Sequence, residues 1–284
     1  MSMLRQYHGP SLLFEYSRDD PPHPEWLRMH VHEQCELLYF ISGKACCMIE
    51  STAYPMEPHT LLILRPMEAH KMNILENKPY ERFVLNFDPE LLSEVDPAGR
   101  LLQSFMDRPL GQNNAYTPAD FGDIAPLKLL QAMSREGLTS EERRTDLLIY
   151  LYPLLGQLRL AFDQKRCQNS CSRSGTAAEI VDYINRHLFE ELSVMELSQQ
   201  FFISPSQLER IFKRATGTSI WNYILRKRLA AARQQILHGQ SATVASRSCG
   251  FKEYSSFYRA YIRTYHLSPQ QDQSHPASSI IETV

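Results

Sequence analysis

The sequence contains no run of about 18 uncharged apolar residues, the length that a membrane-spanning helix requires. Its first ten residues, MSMLRQYHGP, lack the apolar segment of a secretory signal. We therefore expect a cytoplasmic protein with no membrane partner. The six cysteines form no Cys-x-x-Cys pair. A structural zinc site, which usually needs two close pairs of ligands, is not indicated.

The composition is that of a folded protein: 43% of the 284 residues are hydrophobic and 22% are charged. Disorder over most of the chain is excluded, and the length fits about two domains. Residues 175–271 carry twelve Lys and Arg against seven Asp and Glu, whereas residues 1–174 carry eighteen against twenty-three. A basic C-terminal third favours nucleic-acid contact, although two solvated surfaces of different charge would give the same counts.

The N-terminal part has the pattern of a β domain. Short apolar runs, such as residues 36–41 and 60–64, alternate with prolines, glycines and asparagines over residues 12–87. This spacing predicts a small sandwich or barrel. The pattern becomes helical near residue 91, and we place the end of the β domain, residues 1–90, there.

A long helix is predicted over residues 144–165. It carries an apolar stripe at four-three-four-three spacing, with Pro153 inside it. Packing within the same domain and packing on a second copy explain the stripe equally well. The second interpretation makes residues 91–165 a dimerisation region. The leucines that would form the homodimer contact are Leu147, Leu151, Leu154 and Leu158.

The C-terminal part is predicted to be all helical. A polar linker at 166–175 precedes it, and a Ser/Gln-rich tail at 272–284, expected to be disordered, follows it. Within 176–271, capping boxes and glycine stops predict helices at 177–189, 194–201, 205–215, 219–237, 243–248 and 254–264.

Two pairs of these helices have the layout of a helix-turn-helix unit. The helices 194–201 and 205–215 are joined by a three-residue turn. The same layout recurs at an offset of 49 residues, so that Arg210 aligns with Arg259. The helix between the copies is about 28 Å long at about 1.5 Å per residue, which suits two units spaced about one turn of B-DNA apart.

These residues carry a family resemblance. The anchors are LSQQFFISPSQLERIFK at 197–213, Gly217, RLAAA at 228–232, Gly250-Phe251 and Ser268-Pro269. They resemble the AraC/XylS family of bacterial transcription regulators. The resemblance implies one domain with two helix-turn-helix units in adjacent major grooves. Departures from the family pattern are Ser198, Glu253, His266 and Asp272-Gln273.

The residues expected to contact DNA lie opposite the packing stripe of each second helix. Base contacts specify the sequence, and phosphate contacts position the protein. A plain solvated face is the alternative for any one of these polar residues. The predicted base-contacting residues are Ser206, Gln207, Glu209, Arg210, Tyr254, Ser255, Ser256, Tyr258 and Arg259. The predicted phosphate-contacting residues are Lys213, Arg214, Arg226, Arg228 and Arg263.

Two histidines and a glutamate are spaced to share one face of a strand. His30, His32 and Glu36 have the same parity, and His70 follows on a later strand. The segment resembles the cupin barrel that often forms the sensor half of AraC-like regulators. The predicted effector-binding residues are His30, His32, Glu36, Leu38, Phe40 and His70.

Three interpretations of this cluster remain open at this point. It lines a pocket for a small effector, it binds a metal ion, or its histidines are structural. Glu68 departs from the metal-binding pattern, which has glycine there, and His70 follows one residue too early. We adopt the effector interpretation, with no metal or other cofactor.

The predicted fold is an α+β multidomain protein: a cupin-like β-barrel, a helical linker or dimerisation region, and an all-α domain with two helix-turn-helix units. The predicted function is sequence-specific transcription regulation, with activation favoured by family habit. The expected partners are promoter DNA, a small effector such as a sugar or an organic acid, a second copy of the chain and RNA polymerase. The alternatives are a metal-dependent cupin enzyme fused to a DNA-binding domain and an architectural DNA binder without a sensor.

Overall fold

The computed structural model describes residues 3–9, 11–19, 29–76, 78–122, 125–168 and 176–274. No helix within these ranges combines the length and the apolar character needed to cross a membrane.

The N-terminal domain consists of two antiparallel sheets. One sheet has the strand order β1-β2-β8-β3-β6-β9, and the other has the order β5-β4-β7. The strands are β1 Met3–His8, β2 Leu12–Asp19, β3 Cys35–Ser42, β4 Ala45–Ile49, β5 Thr52–Pro55, β6 Leu61–Leu64, β7 His70–Ile74, β8 Tyr80–Phe87 and β9 Ala115–Tyr116.

Strand β3 shows how the two cores of this domain arise. Successive side chains on a strand point to opposite faces. Leu38 and Phe40 therefore point between the two sheets, where they pack in a buried cluster with Met72. Leu37 and Tyr39 point to the other face and join a second cluster. The structure confirms the predicted β domain, but Leu38 and Phe40, which were predicted to bind the effector, are core residues.

The second core joins the six-stranded sheet to three helices, α1 Gln103–Met106, α2 Pro126–Met133 and α3 Ser140–Gln168. The predicted helix is present, and it continues through Pro153. Leu147, Leu151, Leu154 and Leu158 are all 0% exposed and pack in the same cluster as the sheet residues.

The dimer interpretation of these four leucines is therefore wrong. They lie inside their own domain, because the outer face of the six-stranded sheet is apolar and α3 covers it. Residues 91–165 are also not a separate region, since β9 pairs with β6 and α3 shares its core with the strands. The predicted linker overlaps the last turn of α3, and residues 169–175 lie outside the described residues.

The C-terminal domain has the six predicted helices and one more. They are α4 Thr176–Arg186, α5 Val194–Gln200, α6 Pro205–Thr216, α7 Ile220–Leu237, α8 Ala242–Ser248, α9 Tyr254–Tyr265 and α10 Pro269–Ser274. Ser193 and Glu196 form the predicted capping box of α5. Ser204 caps α6, and Gly217 ends it at φ 75°, a left-handed conformation that favours glycine.

Helix α10 corrects the predicted tail. Asp272 is 0% exposed, and its carboxylate accepts hydrogen bonds from Arg233 Nε and Tyr261 Oη, both at 2.7 Å. Asp272, one of the departures from the family pattern, is thus an anchor of the domain. Residues 272–274 belong to this domain, and residues 275–284 lie outside the described part of the chain.

Candidate DNA-binding face and effector cluster

The first helix-turn-helix unit consists of α5 and α6. Leu208 and Phe212 of α6 are fully buried in the core of the unit, and this packing fixes which face of α6 remains outside. Ser206, Gln207 and Arg210 are exposed on that face. Glu209 is half-buried. The hydroxyl of Ser198, one of the departures from the family pattern, donates a hydrogen bond to the Met195 carbonyl oxygen at 2.7 Å.

The second unit consists of α8 and α9. Phe257 and Tyr261 are fully buried, and Ala260 is nearly so. The predicted base-contacting residues of α9 are exposed on the opposite face: Tyr254, Ser255, Ser256, Tyr258 and Arg259. Glu253 precedes α9 with no side-chain cap in the described structure, and His266 ends the helix at φ 57°. Both departures from the family pattern therefore weaken the ends of this helix.

Four of the five predicted phosphate contacts are accessible. Lys213, Arg214 and Arg263 are exposed, and Arg226 is half-buried. The assignment of Arg228 to phosphate is wrong because its side chain is buried in the domain.

The Arg228 guanidinium bonds to the protein's own backbone. It donates to the carbonyl oxygens of Leu188 at 2.7 Å, Gly250 at 2.7 Å and Glu190 at 2.5 Å. Arg228 thereby ties the loop before the first helix-turn-helix unit to the turn of the second. Gly250 has φ 81°, and a Cβ atom there would lie 2.7 Å from the Phe189 carbonyl oxygen, so glycine is required at this junction.

The structure brings four of the six predicted effector residues together, although not for the predicted reason. Strand β3 begins at Cys35, so His30 and His32 precede it and strand parity does not orient them. His30 instead pairs with His70 through an antiparallel bridge, with backbone hydrogen bonds of 2.9 and 3.0 Å. The ligand atoms of the three imidazoles all lie within 4.8 Å of one another.

Glu36 lies beside these rings and is nearly fully buried. Its Oε2 atom lies 2.9 Å from His32 Nε2 and 3.7 Å from His70 Nε2. Burial raises the pKa of Glu36, but the two imidazoles outweigh burial and hold this pKa well below its usual range. Burial lowers the pKa of His70, but Glu36 outweighs burial and raises it. We name His30, His32, His70 and Glu36 the effector cluster.

The ion pair between Arg108 and Glu68 was not indicated by any sequence pattern. It lies next to the effector cluster, because the Glu68 carbonyl oxygen is 2.9 Å from His70 Nδ1. Arg108 and Glu68 have fully buried side chains, and the guanidinium donates to both carboxylate oxygens at 2.7 and 2.6 Å. Glu68 also accepts from Asn114 Nδ2 at 3.0 Å and Gly111 N at 2.7 Å. Burial raises the pKa of Glu68, but the hydrogen bonds from Arg108 outweigh it and lower this pKa.

A second buried ion pair joins the two domains. Lys227 of α7 donates to Glu50 Oε1 at 2.6 Å, and both side chains are at most 3% exposed. Tyr223 donates to the other carboxylate oxygen, and Asn185 Oδ1 accepts from Lys227 at 2.8 Å. Burial and the Glu50 carboxylate together raise the pKa of Tyr223 well above its usual range. We call these residues the interdomain latch: Glu50, Asn185, Tyr223 and Lys227.

The effector cluster and the latch share one backbone segment. Ala69, which precedes His70, donates its N–H to Glu50 Oε1 at 2.9 Å and accepts from Glu50 N at 2.7 Å. Met29 and Val31, which flank His30, pack with Ala69 in the core of the first helix-turn-helix unit. Neighbouring residues therefore alternate between the effector cluster and the domain interface.

Two family models match the chain. The model described as an AraC-like ligand binding domain matches residues 13–150, and the model described as a helix-turn-helix domain matches residues 197–274. The first includes the beginning of the long helix α3, up to residue 150.

Named relatives are also transcription regulators. The probable transcriptional regulator LumQ of Photobacterium leiognathi is 26% identical over 246 residues, which cover 86% of this chain and 91% of LumQ. The HTH-type transcriptional activator RhaS of Escherichia coli is 23% identical over 244 residues, 85% of each chain. The solved structure of apo ToxT K231A from Vibrio cholerae is 10% identical, with a TM-score of 0.40, covering 99% of this chain and 98% of ToxT. The chain belongs to the AraC family of transcription regulators, with an N-terminal ligand-binding domain and a C-terminal helix-turn-helix DNA-binding domain.

Proposed function

We propose that the chain is an effector-responsive activator in which ligand bound at the effector cluster changes the arrangement of the DNA-binding domain. The observation that carries this proposal is the position of Ala69. It contacts the latch residue Glu50 through two hydrogen bonds and lies next to His70 of the effector cluster. A displacement of His70 on ligand binding would be passed to Glu50 and then to α7.

The predicted effector is a small molecule with hydroxyl or carboxylate groups, such as a sugar or an organic acid. Imidazole nitrogens can donate to or accept from such groups. Leu38 and Phe40 pack in the barrel core with Met72, so the proposed contacts to the effector are those of the effector cluster alone. We further propose that the protein acts in the cytoplasm and contacts RNA polymerase when bound at a promoter.

The latch gives the first test of this proposal. Lys227→Met removes the cation from a buried carboxylate, and a buried charge without its partner is strongly disfavoured. We expect the domains to separate at Glu50 and the affinity for DNA without effector to rise about tenfold, which is about 1.4 kcal/mol. Fluorescence anisotropy on a preferred duplex, obtained by selection from a random pool, measures this change.

Two variants serve as controls for the latch. Glu50→Gln combined with Lys227→Met should act less than additively, because both changes break the same contact. Arg186→Met removes an exposed pair with Asp182 on α4 and should leave the affinity unchanged. Equal affinity of Lys227→Met and wild type, both folded by circular dichroism, would contradict a role for the latch.

The DNA-contacting face gives the second test. Arg210→Ala should weaken specific binding by about 1–3 kcal/mol and relax the base preference at one position. Arg259→Ala should do the same about one turn of the DNA helix away, with a smaller effect because no described side chain caps α9. Footprints on the selected duplex check both. Unchanged protection and affinity in both variants would show that these arginines do not lie in the groove.

We also propose a homodimer, through a different face of α3 from the one predicted. The outward face carries Ile149, which is 56% exposed, Leu160, which is 55% exposed, and Gly156, where a second helix can approach closely. Gly156 follows Ile149 by about two turns of the helix, and Leu160 follows Gly156 by about one turn. The three residues therefore form one stripe.

Leu160→Glu should therefore give a folded monomer, because a charge in an apolar contact is costly. Leu151→Glu, on the buried face, should instead unfold the sensor domain. Sedimentation velocity combined with circular dichroism separates the two results. A wild-type protein that sediments as a monomer at micromolar concentration would exclude the dimer.

A further inference from the structure

We propose that one turn of the sensor domain, residues 66–69, sets the spacing between the two helix-turn-helix units, with Met67 as the positioning residue for the second unit. That spacing determines how many base pairs separate the two half-sites that one chain reads. This role in DNA geometry needs no effector and therefore does not rest on the proposed function. We name residues 66–69 the bracing turn.

The bracing turn contacts the cores of both units. Ala69 is 0% exposed and lies in the core of the first unit, in one cluster with Phe212 of α6. Met67 packs against the core of the second unit, which contains Phe257 and Tyr261 of α9. Consecutive Cα atoms are about 3.8 Å apart, so the two points of contact lie within about 8 Å of each other. A movement of one unit relative to the other therefore breaks one of these contacts or distorts the turn.

The two units depend on such a contact because their cores are separate. Ile220 and Ile224, in the first half of α7, belong to the core of the first unit. Leu229 and Ile236, in the second half of α7, belong to the core of the second unit. Long helices are rarely straight, and the curvature of α7 sets the angle between α6 and α9. A contact that reaches both cores limits this curvature to one value.

Hydrogen bonds hold the bracing turn to the sensor domain. The Met67 N–H donates to the His32 carbonyl oxygen at 2.8 Å, and the Glu68 N–H donates to the Arg65 carbonyl oxygen at 3.2 Å. The Ala69 N–H donates to the interdomain latch at 2.9 Å. Three consecutive backbone N–H groups are thus bound, and the turn is rigid enough to position what it contacts.

The backbone of Met67 has a conformation that favours glycine. Its φ is 66°, in the left-handed region, where any residue with a Cβ atom is strained. Such strain persists only where the surroundings fix the residue. Glycine would relieve the strain, but it has no side chain to reach the second unit. The sensor domain thus carries a strained residue whose apolar side chain packs on the other domain.

A neighbouring contact fixes the end of α6. A Cβ atom at Gly217, where α6 ends, would collide with Lys71 Nζ. Lys71 lies on β7, two residues after the bracing turn. Its positive charge is favourable beside the negative C-terminal end of the helix dipole. The first unit is therefore held at Ala69 and Lys71, and the second unit is held at Met67.

The bracing turn leaves both reading faces uncovered. Arg210 of α6 and Arg259 of α9 are exposed although the sensor domain is docked on both units. Phe212 and Phe257, on the opposite faces of the same helices, are fully buried. The turn therefore acts on DNA binding through the relative placement of the two reading faces and not by covering them.

The test compares the selected duplex with two duplexes of altered half-site spacing. One base pair, about 3.4 Å of DNA, is inserted or removed between the positions whose base preference changes in Arg210→Ala and in Arg259→Ala. Coupling between two sites is typically about 5–150-fold, so the wild type should bind the altered duplexes at least about tenfold more weakly. Met67→Gly should reduce this ratio to less than about threefold, because an unbraced second unit adapts to each spacing. Fluorescence anisotropy measures the ratio.

Two further variants separate positioning from stability. Met67→Ala keeps the strained backbone but loses the contact, so it should lose spacing discrimination as Met67→Gly does. Met67→Gly should be at least as stable as Met67→Ala, because glycine relieves the strain. The matched control is His59→Gly, which changes a residue of the same domain with φ 68° that contacts Tyr39 instead of the second unit. This control should discriminate between spacings like the wild type.

Wild-type discrimination by both folded Met67 variants would overturn the proposal, as would wild-type protein that binds all three duplexes equally. An equal loss of affinity for all three duplexes would also overturn it, because Met67 would then contribute to stability alone. If Met67→Gly fails to fold, Met67→Ala decides the question. A raised affinity of Lys227→Met together with unchanged discrimination in the Met67 variants would leave the proposed function standing and remove only the role of the bracing turn.

Discussion

Arg108→Met is expected to lower the free energy of unfolding of the sensor domain by about 3–5 kcal/mol. The substitution leaves the Glu68 carboxylate fully buried, with the Asn114 amide and the Gly111 N–H as donors but without a cation. Chemical denaturation followed by fluorescence measures the loss. Arg82→Met, which removes a cation paired with Glu15 and Asp19, both of which are more exposed than Glu68, should cost less.

The pH dependence of this loss identifies its cause. In the wild type, Arg108 lowers the pKa of Glu68, so the pair stabilises the fold above the unfolded pKa of about 4.3. That stabilisation disappears as the pH falls through the lower folded value. In Arg108→Met, burial without a cation favours the protonated carboxyl. The difference in the free energy of unfolding between wild type and Arg108→Met should therefore become smaller from pH 7 toward pH 4. A constant difference would mean that lost packing, rather than charge, is responsible.

Arg228→Met should destabilise the DNA-binding domain by about 2–4 kcal/mol, because the buried Leu188 carbonyl oxygen loses its donor, at about 1–3 kcal/mol, and the part-buried Gly250 and Glu190 carbonyls lose theirs at a smaller cost. Binding to every duplex should fall together with the folded fraction. Thermal unfolding followed by circular dichroism measures the loss of stability. Duplex titrations at two salt concentrations then show whether a contact with DNA phosphate is also lost.

Lys213→Ala is the matched comparison for Arg228→Met. Lys213 is exposed, so its loss should change stability by less than about 0.5 kcal/mol and flatten the dependence of affinity on salt. If Arg228→Met instead keeps full stability and flattens the salt dependence, the guanidinium contacts phosphate and its buried hydrogen bonds are unimportant.

The helical domain was the most predictable part of the molecule. Its signals are local: Ser193 with Glu196 and Ser204 with Pro205 mark helix starts, and the structure has α5 and α6 begin there. The predicted packing stripe, Leu208 and Phe212, follows from the helical period and is fully buried. Arg228 was misassigned because charge alone does not distinguish an arginine that binds phosphate from one that binds carbonyl oxygens.

The candidate site was less predictable, since it depends on contacts between distant segments. The grouping of His30, His32 and His70 was predicted, but it arises from a bridge between the segment before β3 and the first residue of β7 rather than from strand parity. Arg108 lies 40 residues from Glu68, and Lys227 lies 177 residues from Glu50. No periodicity relates such pairs. The apolar stripe of α3 was correctly located, and only its partner was wrong, because hydrophobicity does not say which apolar surface covers it.

The alternation along residues 29–32 has a consequence for insertions and deletions. His30 and His32 belong to the effector cluster, whereas Met29 and Val31 pack in the helix-turn-helix core. Because the His30–His70 bridge, and not strand parity, sets this alternation, a residue inserted or removed between His32 and Cys35 would leave Met29, His30 and Val31 in place. Such a change would move only His32 relative to Glu36, so the contact between His32 Nε2 and Glu36 Oε2 should be the first that a change in loop length removes.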